Sequence, residues 1–488
     1  MPTPTVRPGL PLRRISSLDA SNLRVERSGL PMTVAAVAVL EGGLLGRASG
    51  AVDLEAVRRH VARRVAREPR LGEVLLPTPW WQGPSAWVPD SRFDIASRVY
   101  GTTVPSPGDE AALLRLCCEL NRSGLDPARS PWELWVISGR DDGSLALLFR
   151  LHHVMADGAA ALALLGALFD PAPDPRPAAV RMPGGRPPGI PHRGLPLPSA
   201  RELFVDNLHR HSTGIRRTAG RLGLALRPAS LGRRMRATVG LARLLLAGGR
   251  APALSFNRPV TTERRLTLVR ADLAAAKAAA HLHGATVNDL LLAAVGHGTR
   301  ALLEARGELE PGLALHVSVP TSLRPAGEAG AAGNRVAVRP MLVPLDEPDP
   351  GRRLAALAPA TRKVKRLPPL QPSGALGQRW IVRIMRRQRL VNLLVSNVAG
   401  PAAPLWFGGA RVREIFQIGL VQGNLSITVG ALSYSGQLNV EIASDAVLVP
   451  DIEVFAEGVA RGLAELGCLR DETDPTGGGT TAPGRPRL

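Results

Sequence analysis

The sequence predicts an α/β protein folded as two lobes, and three observations carry that expectation. At 488 residues the chain is too long for a single hydrophobic core. Its apolar fraction, 45%, is that of a globular protein. Apolar residues at helical spacing alternate with short apolar runs in both halves, and a Pro- and Arg-rich stretch separates the halves.

The elements follow in order. Residues 32–40 form an apolar run and predict a strand. Residues 53–67 predict a helix, with Leu54, Val57, Val61 and Val65 along one face. A second helix is expected over 108–121, then strands over 134–137 and 145–152 and a helix over 158–169. From 171 to 198 prolines recur so densely that an irregular linker is expected. Helical, Arg-rich sequence continues to about 248. The second half predicts helices over 271–283, 287–306, 350–366 and 452–466. Strands are expected over 313–320, 335–345, 393–397, 412–420, 425–432 and 437–443. The tail, 471–488, is rich in Gly, Thr and Pro and is expected to be disordered. This divides the chain into a first lobe (1–170), a linker with basic helices (171–252), a second lobe (253–470) and a tail (471–488).

One short pattern carries chemistry. His152, His153, Asp157 and Gly158 read H-H-x-x-x-D-G, between an apolar strand and an Ala/Leu-rich helix. Side chains alternate along a strand, so the two histidines face opposite ways and only one can meet a given pocket. Imidazole titrates near pH ~6.5 and can take a proton from a hydroxyl at neutral pH. Asp157 opens the helix and suits an N-cap on Ala159 or Ala160, or a fixed carboxylate paired with a distant arginine. Gly158 leaves room for a close approach. No third His, Cys or Glu stands at ligand spacing from the pair, so no metal is expected. His281 and His283 end an Ala-rich helix, where they suit its C-terminal dipole better than a metal.

The pattern resembles the signature of the CoA-dependent acyltransferase superfamily, which includes chloramphenicol acetyltransferases and peptide-synthetase condensation domains. Further blocks resemble the bacterial wax ester synthase/diacylglycerol acyltransferase family. They are residues 16–21 (SSLDAS) with Pro31 and Met32, residues 130–135 (SPWELW, where that family usually reads PLW) and residues 286–294 (TVNDLLLAA). Residues 319–325 (VPTSLRP), Gly333 with Asn334, residues 395–401 (VSNVAGP) and residues 424–436 complete the ordered set, which spans about 15–468. The resemblance implies two chloramphenicol-acetyltransferase-like lobes, mixed sheets flanked by helices, and an active-site tunnel between them. It implies an O-acyltransferase that moves a long-chain acyl group from acyl-CoA to a lipid alcohol, giving triacylglycerol or wax ester. His153 is then the base, and Asp157 and His152 belong to its centre. Arg324 is the expected partner of Asp157; Asn288 and Asp289 open a helix, where capping explains one of them, and the resemblance places them at the active centre; Ser396 and Asn397 either hold a tight turn or line the tunnel. Acyl-CoA is a co-substrate, and no cofactor is expected. Two other readings stand beside this one: a condensation-type enzyme with a carrier-bound donor, and a non-enzymatic lipid-surface protein.

The net charge is +20, from 61 Lys and Arg against 41 Asp and Glu. Almost all the cations are arginine, a bias that GC-rich codons alone produce. Aromatics are 3%, too sparse for base-stacking platforms, so nucleic acid is not an expected partner. Residues 201–250 nevertheless hold eleven arginines against Glu202 and Asp206. Arg379, Arg383, Arg386, Arg387 and Arg389 are interleaved with Trp380, Ile381, Ile384 and Met385, as in a basic amphipathic helix. Both features suggest an anionic membrane or lipid-droplet surface. Three cysteines (Cys117, Cys118, Cys468) imply no disulfide framework, and no apolar run is long enough to span a bilayer. A cytoplasmic protein with peripheral lipid association is the expectation.

Overall fold

The computed structural model describes residues 12–26, 31–41, 52–173, 197–225, 249–322, 336–366 and 387–469. The first half contains β1 (Arg13–Arg14), α1 (Ser17–Glu26), β2 (Thr33–Leu40), α2 (Leu54–Val65), β3 (Glu73–Leu76), β4 (Ala86–Pro89) and β5 (Val99–Thr103). It continues with α3 (Glu110–Asn121), β6 (Trp132–Ser138), β7 (Leu145–His152), α4 (Gly158–Ala167) and α5 (Ala200–Ala225). The second half contains β8 (Arg264–Asp272), α6 (Leu273–Leu282), α7 (Val287–Ala305), β9 (Ala314–Ser322), β10 (Val336–Pro344) and α8 (Pro350–Lys365). It closes with β11 (Leu393–Ala399), β12 (Trp406–Phe407), β13 (Ala410–Ile418), β14 (Ile427–Tyr434), β15 (Gln437–Asp445) and α9 (Ile452–Glu465).

Helix starts in this chain are written largely in aspartate. Asp53, Asp109, Asp157, Asp272 and Asp349 each accept a hydrogen bond from the backbone N–H three residues on, at 2.6–3.0 Å. At α7 the cap is reciprocal: the Thr286 hydroxyl accepts from Asp289 N–H, and the Asp289 carboxylate accepts from Thr286 N–H.

Two mixed six-stranded sheets form the lobes, ordered β12-β13-β2-β7-β6-β5 and β10-β9-β11-β14-β15-β8, and a small third sheet is ordered β1-β4-β3. All eight residues of β7 are buried, as the unbroken apolar run 145–149 requires of a central strand. One face of the first sheet packs on α2 and α4, through Leu147, Phe149, Leu151, Val57, Val61 and Leu165. The outer face of the second sheet packs on α7 and α9, through Val429, Val440, Ile442, Leu291, Phe455 and Val459. The two remaining faces meet: Val37, Leu148 and Ile418 of the first sheet share a core with Leu266 and Ala443 of the second.

The expected boundary at 253–470 needs correction. Residues 406–418 belong to the first sheet, where β13 pairs antiparallel with β2 from Ile418 opposite Ala35 to Val412 opposite Leu40. The physical reason is burial. Val412, Ile415 and Phe407 fill the core of α2 and α4, which the strands of residues 1–170 do not cover alone. The short strands β3, β4 and β5 and the helix α1 were not read from the sequence. In the region 199–248 the structure describes a helix to Ala225. The amphipathic stretch around Arg379, Arg383 and Arg386 lies outside the described residues, as do Arg324, Gly333 and Asn334. Among the described residues no helix is long and apolar enough to cross a membrane.

Candidate active site

The histidine motif lies where β7 ends and α4 begins. Thr33 of β2 stands opposite His152 in register, and the next backbone N–H, that of His153, donates to Met32 O at 2.7 Å. His152 N–H donates to Pro131 O at 2.8 Å, so the Ser130–Pro131–Trp132 block holds the other edge of the strand. Trp132 is fully buried beneath it and donates its indole N–H to Leu71 O at 2.7 Å. Arg70 reaches the loop from outside, donating to Met155 O at 2.8 Å, while its guanidinium stacks 3.8 Å over the Trp87 ring and pairs with Glu73 at 2.8 Å.

His152 is wholly buried, and both its ring nitrogens are engaged by the protein. Nδ1 accepts from Val154 N–H at 3.0 Å, and Nε2 lies 2.7 Å from Glu26 Oε2. A nitrogen that accepts a backbone N–H carries no proton, so Nε2–H donates to the Glu26 carboxylate. This corrects the placing of His152 among the catalytic groups: it positions the loop, because neither nitrogen is left to face a substrate.

His153 is half-buried. Desolvation holds its pKa below the ordinary 6.5, opposed by a hydrogen bond to its own backbone and by the charges of Asp157 and Asp19, while the neighbouring His152 pushes in the same direction as burial. The ring is therefore neutral at physiological pH, which is the form a base needs. Nδ1 is the ring nitrogen next to the main chain, and the Asn22 amide lies 3.4 Å from it. In the tautomer that a base at Nε2 requires, Nδ1 carries the proton, and the Asn22 Nδ2 group then packs against it without a hydrogen bond. Asn22 and Glu26 are four residues apart and share one face of α1. The Ser16 hydroxyl caps that helix, and Asp19 returns the bond to Ser16 N–H at 3.0 Å. The 16–21 block thus aims α1 at both histidines, at Asn22 on one and Glu26 on the other. Neither Asn22 nor Glu26 is singled out by the sequence, since the 16–21 block ends just before them.

Asp157 is buried and accepts from Ala160 N–H at 3.0 Å, as the N-cap of α4. Its expected partner Arg324 lies outside the described residues. Gly158 meets the other lobe: a Cβ there would stand 3.7 Å from the Val398 side chain of β11. Ser396 and Asn397, on the same strand, are half-buried, and Ser396 O accepts from Gln417 Nε2 of β13 at 3.3 Å. Asn288 is half-buried in the first turn of α7, and Asp289 is buried as that helix's reciprocal cap. Asp289 Oδ1 has Lys365 Nζ at 3.9 Å. His283 contacts Ala279 O at 2.9 Å at the end of α6, an ordinary helix terminus.

The thiols near the seam between the lobes are poor nucleophiles. Burial pushes Cys118 up to about 12 and Cys117 higher still, so neither is a thiolate at neutral pH.

The sequence profile of the wax ester synthase/diacylglycerol acyltransferase catalytic domain matches residues 15–291, and that of the WS/DGAT C-terminal domain matches residues 332–467. The probable diacyglycerol O-acyltransferase tgs1 of Mycobacterium tuberculosis is 29% identical, over 93% of this chain and 96% of its own. A second, putative diacyglycerol O-acyltransferase of the same species is 30% identical, over 77% of this chain and 80% of its own. Among solved structures, the wax ester synthase/diacylglycerol acyltransferase of Marinobacter aquaeolei superposes with a TM-score of 0.62 at 19% identity, covering 93% of this chain and 98% of that one. A starter condensation domain of rhizomide synthetase superposes with a TM-score of 0.59 at 11% identity, covering 94% and 95%. At those identities both share the fold. The two profiles together span most of the length from Ile15 to Gly467, and they meet the histidine centre just described: the chain belongs to the wax ester synthase/diacylglycerol acyltransferase family and is an acyltransferase.

Proposed function

We propose that this acyltransferase moves a long-chain acyl group from acyl-CoA to diacylglycerol or a long-chain alcohol, giving triacylglycerol or wax ester. The observation that carries the reading is His153, a neutral half-buried imidazole at the junction of β7 and α4. Nε2 takes the acceptor hydroxyl proton as that oxygen attacks the thioester carbonyl. The carbon–sulfur bond then breaks, and the thiolate leaves with the proton that His153 returns. The buried Asp157 carboxylate favours the imidazolium that forms between the two transfers. Asn288 is the candidate donor to the oxyanion. In this reading no acyl-enzyme, metal or cofactor takes part. Incubation with labelled palmitoyl-CoA and either dioleoylglycerol or hexadecanol should yield labelled neutral ester. Hydrolysis to free fatty acid alone, with both acceptors, would refute it.

The acceptors of this reading partition into lipid, and the surface suits a lipid interface. Trp80 and Trp81 are 86% and 51% exposed, their rings 5.8 Å apart edge to face. Asn207 of α5 donates to Trp81 O at 3.1 Å, which places the tryptophans beside Phe204 and Leu208, 50% and 60% exposed. Exposed Arg201 and Arg210 flank these apolar side chains. Tryptophan at an aqueous-apolar boundary with arginine alongside is the composition of an interfacial anchor. Peripheral association with an anionic membrane or lipid droplet, from the cytoplasmic side, is part of the proposal.

A further inference from the structure

The positive charge of this chain is almost entirely arginine: of 61 Lys and Arg residues only Lys277, Lys363 and Lys365 are lysine. Two of those three stand within one turn, in the run Arg362–Lys363–Val364–Lys365–Arg366 that ends α8. A codon bias toward arginine gives no account of lysines gathered there. The C-terminus of a helix favours a cation in its last turn, which explains one or two of the four. All four charged side chains are exposed, and Val364 alone is turned inward and buried.

Contacts hold this turn against the start of α7. Arg362 Nη1 donates to Gly284 O at 2.6 Å. Lys365 Nζ donates to Thr286 Oγ1 at 3.4 Å and lies 3.9 Å from Asp289 Oδ1. Among the described residues Asp289 is the single carboxylate within salt-bridge distance of the run, and it is already committed to capping α7. Positions 362, 365 and 366 share one face of the helix. The positive end of the α7 dipole adds to the field of the four cations.

Register places the turn relative to the histidine motif. Val364 O accepts from Arg339 Nη1 of β10 at 2.7 Å, and Arg339 pairs with Val319 of β9. β9 runs parallel to β11 with Ser318 opposite Leu394, so Val398 falls level with Ser322. Arg339 and Val398 are thus three rows apart along the strands (Val319 to Ser322) and two strands apart across them. At ~3.3 Å per row and ~4.8 Å per strand that is about 14 Å. Val398 is the residue that meets Gly158 of the motif. The basic turn therefore stands at the outer margin of the same sheet edge, at a distance on the scale of a pantetheine arm.

Coenzyme A fits both the charge and the spacing. Its thioester end must reach His153, and its other end carries a pyrophosphate and a ribose monophosphate, about four negative charges at neutral pH. Arginine grips phosphate through two parallel N–H groups, and lysine through a mobile point charge. We infer that Arg362, Lys363, Lys365 and Arg366 bind the phosphates at the nucleotide end of acyl-CoA, with the pantetheine arm running from there along the sheet edge to the histidine motif. This rests on the acyltransferase reading above. An anionic lipid headgroup offers the same phosphate chemistry, and Leu282 stands 82% exposed two residues before Gly284. The run itself presents no exposed apolar side chain, which favours the nucleotide.

The test compares wild type with the triple variant Lys363→Gln, Lys365→Gln, Arg366→Gln and with the pair Lys363→Arg, Lys365→Arg. The three positions are exposed, and Arg362 keeps its bond to Gly284 O. Equilibrium Kd is measured for a palmitoyl-CoA thioether and for the matching pantetheine thioether, which lacks the phosphates. The triple variant should bind the CoA thioether roughly 10- to 100-fold more weakly and the pantetheine thioether as wild type does. Raising the salt should weaken only the CoA ligand. The arginine pair keeps the charge and should stay within about 3-fold of wild type. Unchanged Kd for the CoA thioether in a folded triple variant overturns the inference, and a loss of sedimentation with phosphatidylglycerol vesicles in that case assigns the run to lipid headgroups. Equal weakening of both thioethers overturns it too. Because Kd is read without turnover, a wild type that binds the CoA thioether and transfers nothing to any acceptor would refute the acyltransferase reading and leave this comparison decisive. A wild type that transfers the acyl chain but binds both thioethers equally would do the reverse.

Discussion

Glu26→Ala tests whether the first histidine is a positioning group. In the structure Glu26 Oε2 accepts from His152 Nε2–H at 2.7 Å, with the imidazole fully buried and the carboxylate partly exposed. Glu26 Oε1 also accepts from Met32 N–H at 3.2 Å, one residue before the strand that pairs with His152. Removing the carboxylate leaves a buried N–H with no acceptor and takes away one charge-assisted bond. Each such loss costs on the order of 1–3 kcal/mol, and alanine leaves no room for both effects to vanish. Urea unfolding should therefore report a loss of about 1.5–3 kcal/mol. His153 follows His152 directly, so a loop free to shift by about 1 Å should lower kcat/KM by up to about 100-fold, chiefly in kcat. Glu26→Gln keeps an oxygen acceptor and should lose less than half as much of either quantity. A double variant with His152→Ala should be no worse than the worse single variant, because the two residues lose the same bond. Wild-type stability and turnover in Glu26→Ala would refute the reasoning, and so would strictly additive effects.

Further outcomes follow from the same centre. His153→Ala should lose about 10²–10⁴-fold in transfer with unfolding unchanged, since the ring serves chemistry rather than packing. Burial lowers the His153 pKa from 6.5, so kcat/KM should stay flat from pH 8 down to 6.5 and fall only below it. The Asp157 charge raises that pKa, so Asp157→Asn should move the acid limb lower still; a limb above pH 6.5 would contradict the assignment. Arg70→Met should remove the bond to Met155 O and lower both stability and kcat, with KM for a short soluble alcohol little changed. Trp80→Ser with Trp81→Ser should reduce sedimentation with anionic vesicles and raise the apparent KM for dioleoylglycerol but not for butanol. Equal vesicle binding by wild type and variant would leave those side chains without that role.

How far the sequence reaches is clearest at the two histidines. Strand alternation alone separates His152 from His153, because neighbouring side chains in a strand cannot face one pocket. Capping chemistry likewise marks helix starts, since aspartate before an apolar run has one good use there. The residues that finish the site are another matter. Glu26 lies 126 positions before His152 and Arg70 lies 85 before Met155, and no local pattern ties such pairs. The 16–21 block does signal that α1 matters, but its capping role is visible only once Asn22 and Glu26 are seen on one face. The swap of β12 and β13 into the first sheet is equally hidden. Their apolar spacing is that of any half-buried strand, and the choice of sheet depends on which core lacks cover.

That swap bears on how the centre works. Gln417 sits on β13, hydrogen-bonded within the first sheet's framework, yet its amide donates to Ser396 O and Ala431 O of the second sheet. The strand that completes the histidine lobe thereby fixes the height of the opposite wall. Gly430 has no side chain because Gln417 and Glu441 occupy the space in front of it. A substitution there would push Gln417 away from Ser396 before it touched any substrate. The two lobes are therefore not independent jaws around a tunnel. One side chain, Gln417 of β13, thus ties the sheet that carries the histidine motif to β11 and β14 of the other sheet, so a change at Gln417 should be felt on both.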